Sequence, residues 1–172
     1  MQKLNALLAT LFLGAAVAAC GGPEQPSAQG QASAAPAPAA TPIASAGRKV
    51  EIIANDTMKF SIVEIRAKAG EPLSVTLDNQ GVTPKFSMGH NWILLTPNAD
   101  VDAFLIAAAE SPTSDYVPAA RRAEILASTK LLGPGEQDAA TFVVPRAPGR
   151  YPFLCSYPGH AQVGMRGVLV VE

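Results

Sequence analysis

The side chains that usually hold metals, bridge strands or carry out catalysis are scarce in this sequence. It has two Cys, two His, four Met and one Trp among 172 residues. Two cysteines cannot build a disulfide-rich scaffold, and a bridge between Cys20 and Cys155 would only tie a leader to the last strands. An excess of one charge is missing too. Thirteen Lys and Arg stand against fourteen Asp and Glu, with no basic block, which excludes a nucleic-acid footprint. The one long apolar run, Leu4 to Val17, is too short to span a membrane as an ordinary helix. With so few imidazole and sulfur donors, any metal site must use nearly all of them.

What is present divides the chain. Lys3 and the apolar run that follows read as a secretory signal over residues 1–19, ending in Val17-Ala18-Ala19-Cys20. Small residues before a cysteine resemble the lipobox of bacterial lipoproteins, in which the signal is cleaved and the new N-terminal cysteine carries the lipid. Cys20 is therefore the expected lipidation site, and buried acyl chains at about 0.8 kcal/mol per methylene would hold the protein on a membrane. Gly21-Gly22 offers no inner-membrane retention signal of the enterobacterial kind, which tilts the expectation toward the outer membrane. The rest of 20–46 is rich in Pro, Ala, Ser, Gln and Gly and lacks aromatics, so it reads as an unfolded tether. Stretched, it would reach on the order of 80 Å at about 3.1 Å per residue.

From residue 47 the texture becomes that of a β-domain. Val50–Ile53, Leu73–Leu77, Asn91–Leu95, Thr141–Val144, Tyr151–Cys155 and Gly167–Val171 are strand candidates. Gly/Pro-rich turns separate them, among them Ala69-Gly70-Glu71-Pro72 and Gly133-Pro134-Gly135. Many short strands with such punctuation predict an all-β antiparallel sandwich over 47–172. Asp100–Glu110 and Ala119–Ser128 break the pattern with helical texture, Pro118 being suited to a helix start. The interval Pro97–Ser128 is thus expected to form a short helical flap between two strands.

The chemistry concentrates near the C-terminus. Cys155, His160 and Met165 lie within eleven residues, on a turn containing Pro158 and Gly159. The remaining histidine is His90, in Met88-Gly89-His90-Asn91-Trp92. Two His and one Cys with a weak axial Met are the ligand set of a blue-copper site. Zinc could use the Cys and both His, but a closed structural zinc site normally lacks a thioether. A Cys nucleophile with His160 as its base is conceivable, although no orienting acid flanks the pair. A two-copper centre would need a second cysteine in the loop. One copper per chain accounts best for the donors.

The segments around these donors resemble azurins. Met88 to Leu94 is similar to their first-histidine segment, Asn55 to Phe60 to a first-strand motif, and Thr129 to Glu136 to the stretch entering the next strands. Cys155 to His160 matches their Cys-x-Phe-Pro-Gly-His loop with Tyr157 in place of Phe. The resemblance implies a cupredoxin, a Greek-key β-sandwich. Such proteins carry single electrons between periplasmic or membrane-side redox proteins such as cytochromes or copper oxidoreductases. It further implies His90, Cys155 and His160 as equatorial ligands, Met165 as the axial one and the Gly89 carbonyl as a weak opposing contact. Asn91 and Ser156 would clamp the ligand segments together. Met58, Met88, Tyr157, Pro158, Gly159 and Val163 would form a neutral docking patch on a monomeric head. Two departures stand out. His160 and Met165 are separated by four residues rather than three, as in auracyanins and plastocyanins, and the usual azurin disulfide has no cysteines here. The expected function is electron carriage rather than catalysis. The alternative is a periplasmic lipoprotein that handles copper, for which exchange-competent Met and His are few.

Overall fold

A computed structural model describes residues 47–172. The signal, Cys20 and the tether expected for 1–46 lie outside the described residues. Among the described residues, eight strands form two sheets. The smaller has β1 (Arg48–Ala54), β3 (Pro72–Asn79) and β6 (Gln137–Val143), in the order β1-β3-β6. The larger runs β2-β8-β7-β4-β5, from β2 (Glu64–Ala67) through β8 (Arg166–Val171), β7 (Gly149–Leu154) and β4 (Ile93–Leu95) to β5 (Ile125–Ser128).

The sandwich is all-β as expected, but its sheets are mixed. β1 pairs parallel with β3, and β2 parallel with β8. The reason is connectivity. β2 lies in the opposite sheet from both β1 and β3, so the chain leaves the small sheet and returns to it before β3. Strand β2 had no strand expectation. Its four residues alternate exposed and buried, too short a pattern to stand out in the sequence.

The core explains which strands read clearly. One cluster fills the space between the sheets, including Ile52, Leu73, Leu77, Trp92, Phe153 and Leu169. A second lies on the outer face of the larger sheet, where Phe104, Leu105 and Ala108 pack on Ile93, Leu95, Leu154 and Ala161. Strand β4 is consequently buried on both faces, which is why its sequence is continuously apolar rather than alternating.

The outer cluster is the underside of the flap. Helix α2 (Val101–Ala109), which follows a single-turn helix α1 (Lys85–Met88), lies where helical texture was read. The Asp100 side chain caps α2 by accepting from the Ala103 N–H at 3.0 Å. Complete burial of Phe104 contributes roughly 1.5–3 kcal/mol to holding the helix down. The second expected helix is not one. Ala119–Glu124 makes 3-10 turns and Ile125–Ser128 becomes β5, paired antiparallel with β4. Local propensity yields there to the open edge of β4, whose backbone groups need partners.

Candidate metal centre

Two separate segments deliver the donors to one end of the sandwich. His90 follows α1 and is held by an isolated antiparallel bridge to Leu132. Its N–H donates to the Leu132 carbonyl at 3.1 Å, and the Leu132 N–H donates back at 2.7 Å. Gly89 precedes it because nothing larger fits: a Cβ there would lie 2.9 Å from the Lys85 carbonyl oxygen and 3.0 Å from Leu131. Cys155 stands at the end of β7, its N–H donating to the Met165 carbonyl at 3.0 Å. Between them the chain turns tightly. The His160 N–H donates to Tyr157 at 3.1 Å and the Met165 N–H to His160 at 2.9 Å. Gly164, at φ +105°, supplies the left-handed step that returns the loop to β8.

This folding brings ligand atoms of His90, Cys155 and His160 within 4.8 Å of one another, all three residues buried. The two imidazole rings have centroids 5.0 Å apart, and His160 Nδ1 lies 3.6 Å from Cys155 Sγ. Met165 is fully buried in the same core cluster as Cys155. Asn91 joins the segments by hydrogen bonds to Ser156. Its Oδ1 accepts from the Ser156 N–H at 2.8 Å, and its Nδ2 donates to Ser156 Oγ at 2.8 Å.

The pocket fits a soft cation. Among the described residues, neither ring nitrogen of buried His90 has a hydrogen-bond partner. An imidazole left so would cost about 1–3 kcal/mol per unsatisfied group unless a ligand uses it. Burial pushes the Cys155 thiol up to about 11, opposed by the amide N–H groups of Asn91 and Tyr157 directed at the sulfur. Burial, and then the charge of His90, push His160 down to about 4. Burial also lowers His90, while the Asp56 carboxylate and Asn55 backbone act the other way. At neutral pH both imidazoles are therefore unprotonated donors, and a metal has to displace only the thiol proton.

The expected docking residues are less uniformly exposed. Pro158, Gly159 and Val163 face solvent, whereas Met58, Met88 and Tyr157 are half-buried. The sequence reading missed Val82 and Phe86, each 84% exposed, beside the first-histidine segment. Their apolar character was legible, but a Pro-containing stretch without alternation gave no reason to place them at the surface. It also missed Tyr116, whose ring meets Tyr157 edge-on at 4.9 Å.

His90, Cys155 and His160, with Met165, thus form a buried site typical of a type 1 copper centre, at the end of a cupredoxin sandwich. Residues 46–172 match the family described as copper binding proteins, plastocyanin/azurin family. Azurin of Pseudomonas denitrificans is 38% identical over 127 residues, covering 72% of this chain and 97% of that protein. Outer membrane protein H.8 of Neisseria gonorrhoeae is 34% identical over 120 residues, covering 69% and 64% respectively. Among solved structures, dithionite-reduced auracyanin from the photosynthetic bacterium Roseiflexus castenholzii superposes with a TM-score of 0.64 at 35% identity, covering 72% of this chain and 96% of that one. The chain belongs to the plastocyanin/azurin family, and its cofactor is copper.

Proposed function

We propose that this is a lipid-anchored blue-copper protein that carries single electrons between redox partners on the periplasmic side of a bacterial membrane. His90, Cys155 and His160 would hold the copper, with Met165 as a weaker donor and the Gly89 carbonyl as a further weak contact. The observation that carries the reading is the buried cluster of two unprotonated imidazoles and one thiol beside a buried thioether. Copper bound there supplies a one-electron couple between Cu(II) and Cu(I).

The chain's own residues do the rest. Thiolate and imidazoles suit both oxidation states, and a weak thioether stabilises Cu(II) less than a hard oxygen donor would. The donors are fixed by the backbone bridge at Leu132, the tight loop turns and the Asn91 clamp. Ligands held this way move little when the charge changes. The amides of Asn91 and Tyr157 hold charge on the sulfur in place. His160 is 3% exposed under the neutral surface of Pro158, Gly159 and Val163, so a partner docking there approaches the site closely. Weak redox encounters use small contact areas of this kind.

The anchor rests on Cys20 and the small residues before it. The relative named as an outer membrane protein supports an outer-membrane position. Titration of the full chain with Cu(II) tests the site. One copper per chain with an intense blue band and narrow hyperfine splitting is expected. Colourless binding would favour copper handling instead. Mass analysis of the mature protein tests the anchor, with acyl groups expected on Cys20 and lost in Cys20→Ser.

A further inference from the structure

Within the flap, after helix α2, come two consecutive left-handed residues that are not glycine, Asp115 (φ 55°) and Tyr116 (φ 58°). Aspartate tolerates this region, but a bulky aromatic there is a true outlier that persists only where its surroundings hold it. The turn persists because its surroundings over-determine it. The Tyr116 N–H donates to the Ser111 carbonyl at 3.0 Å, and Ser114 Oγ bonds to the carbonyls of both Ser111 and Val117. What the strained turn presents is directed at the metal centre. The Asp115 carbonyl accepts from Asn91 Nδ2 at 3.3 Å, the same amide that holds Ser156. The Tyr116 ring meets Tyr157 at 4.9 Å, and Tyr157 in turn lies 4.6 Å from the His160 ring. On its other side Tyr157 Oη donates to the Phe86 carbonyl at 2.8 Å, tying the ligand loop to α1. Beneath, Ala161 belongs to the flap's own core cluster, against which Tyr116 packs.

We propose that Tyr116 and Tyr157 are positioning residues for the ligand loop, with the flap's left-handed turn pressing Tyr116 onto Tyr157 and so fixing where His160 and Cys155 stand. Tyr157 has a phenol hydroxyl where the azurin loop it resembles has a phenyl ring. The flap is then a clamp on the metal site rather than a surface insertion. This inference rests on the reading of His160 and Cys155 as ligands, but its first test does not need the metal.

Amide hydrogen exchange of the metal-free full chain reads the clamp directly, at Ser156 and His160, whose N–H groups bond to Asn91 and Tyr157. Tyr116→Gly removes the ring and relaxes the turn, and Tyr157→Phe removes only the hydroxyl bond. Each should speed exchange at these amides about tenfold while strand amides of β3 and β7 stay unchanged, and Tyr116→Phe should behave as the parent. In the copper-loaded protein the first two variants should release copper to a chelator about tenfold faster and broaden the copper hyperfine pattern. Unchanged exchange at Ser156 and His160 in both variants would overturn the proposal, as would loss of protection spread evenly through the strands. If the parent chain binds no copper, the functional reading fails while the exchange result still decides the clamp.

Discussion

The two segments that carry the donors are held by opposite means. Gly89–Trp92 has almost no local support. It is fixed from a distance by the bridge to Leu132 and by exchange with Thr129, whose Oγ1 accepts from the Trp92 N–H at 2.9 Å and whose N–H donates to the Trp92 carbonyl at 3.0 Å. Cys155–Met165 is held largely by itself, through turn bonds that span three to five residues, and by the return bond from Cys155 to Met165. One histidine thus sits in a frame built by the whole sandwich, the other in a turn that its own sequence writes. A site divided this way keeps its geometry only if something locks the halves together. Asn91 does so, by bonding Ser156 from the neighbouring segment.

Breaking the shared centre has the largest effect. Cys155→Ser removes the one thiolate available among the described residues, and the intense visible band should vanish entirely in an absorbance titration with Cu(II). Breaking the lock is next. Asn91→Leu cuts the bonds to Ser156 and Asp115 and leaves the buried Ser156 N–H unpaired, so urea unfolding of the metal-free chain should show a loss of roughly 2–4 kcal/mol.

Acid probes the histidines in both segments. In the unfolded chain an imidazole takes up its proton near 6.5, whereas His160 in the fold resists until about 4. The unfolded state therefore binds the extra proton between these values. Metal-free stability should be full above pH 6.5 and fall as the pH drops toward 4. Urea midpoints across that window would show the slope, and His160→Gln should flatten it. Thr129→Val sharpens the comparison, since it strips support only from the long-range segment. It should cost about 1–2 kcal/mol by the same urea assay and leave the exchange of the His160 amide unchanged. Met165→Leu should be the mildest, keeping fold, copper and colour while raising the reduction potential in voltammetry, because even a weak thioether donor stabilises Cu(II) more than Cu(I) and the variant has none.

The same division explains what could be read in advance. The turn from Cys155 to Met165 was legible because its donors, its Pro-Gly corner and its spacing are all local. His90 was found by scarcity, there being just one other histidine in the chain, and by the resemblance of its segment to azurins, not by spacing from the other donors. The flap's helix α2 was legible from its alanine-rich composition. Its continuation was not, because Ile125–Ser128 takes its strand conformation from β4 and not from its own residues. Tyr116 gave no signal at all, since neither its left-handed backbone nor its contact with Tyr157 follows from its neighbours.

The sequence by itself determined the donor set, the β-rich head and the helix over the sheet, because composition, spacing and periodicity act over a few residues. Only the tertiary structure decided that β1 and β3 run parallel, that residues 125–128 are a strand, and that the flap reaches the metal centre. Each of these depends on which distant backbone groups and apolar faces are left needing partners once the sheets have formed, and that demand is a property of the assembled fold.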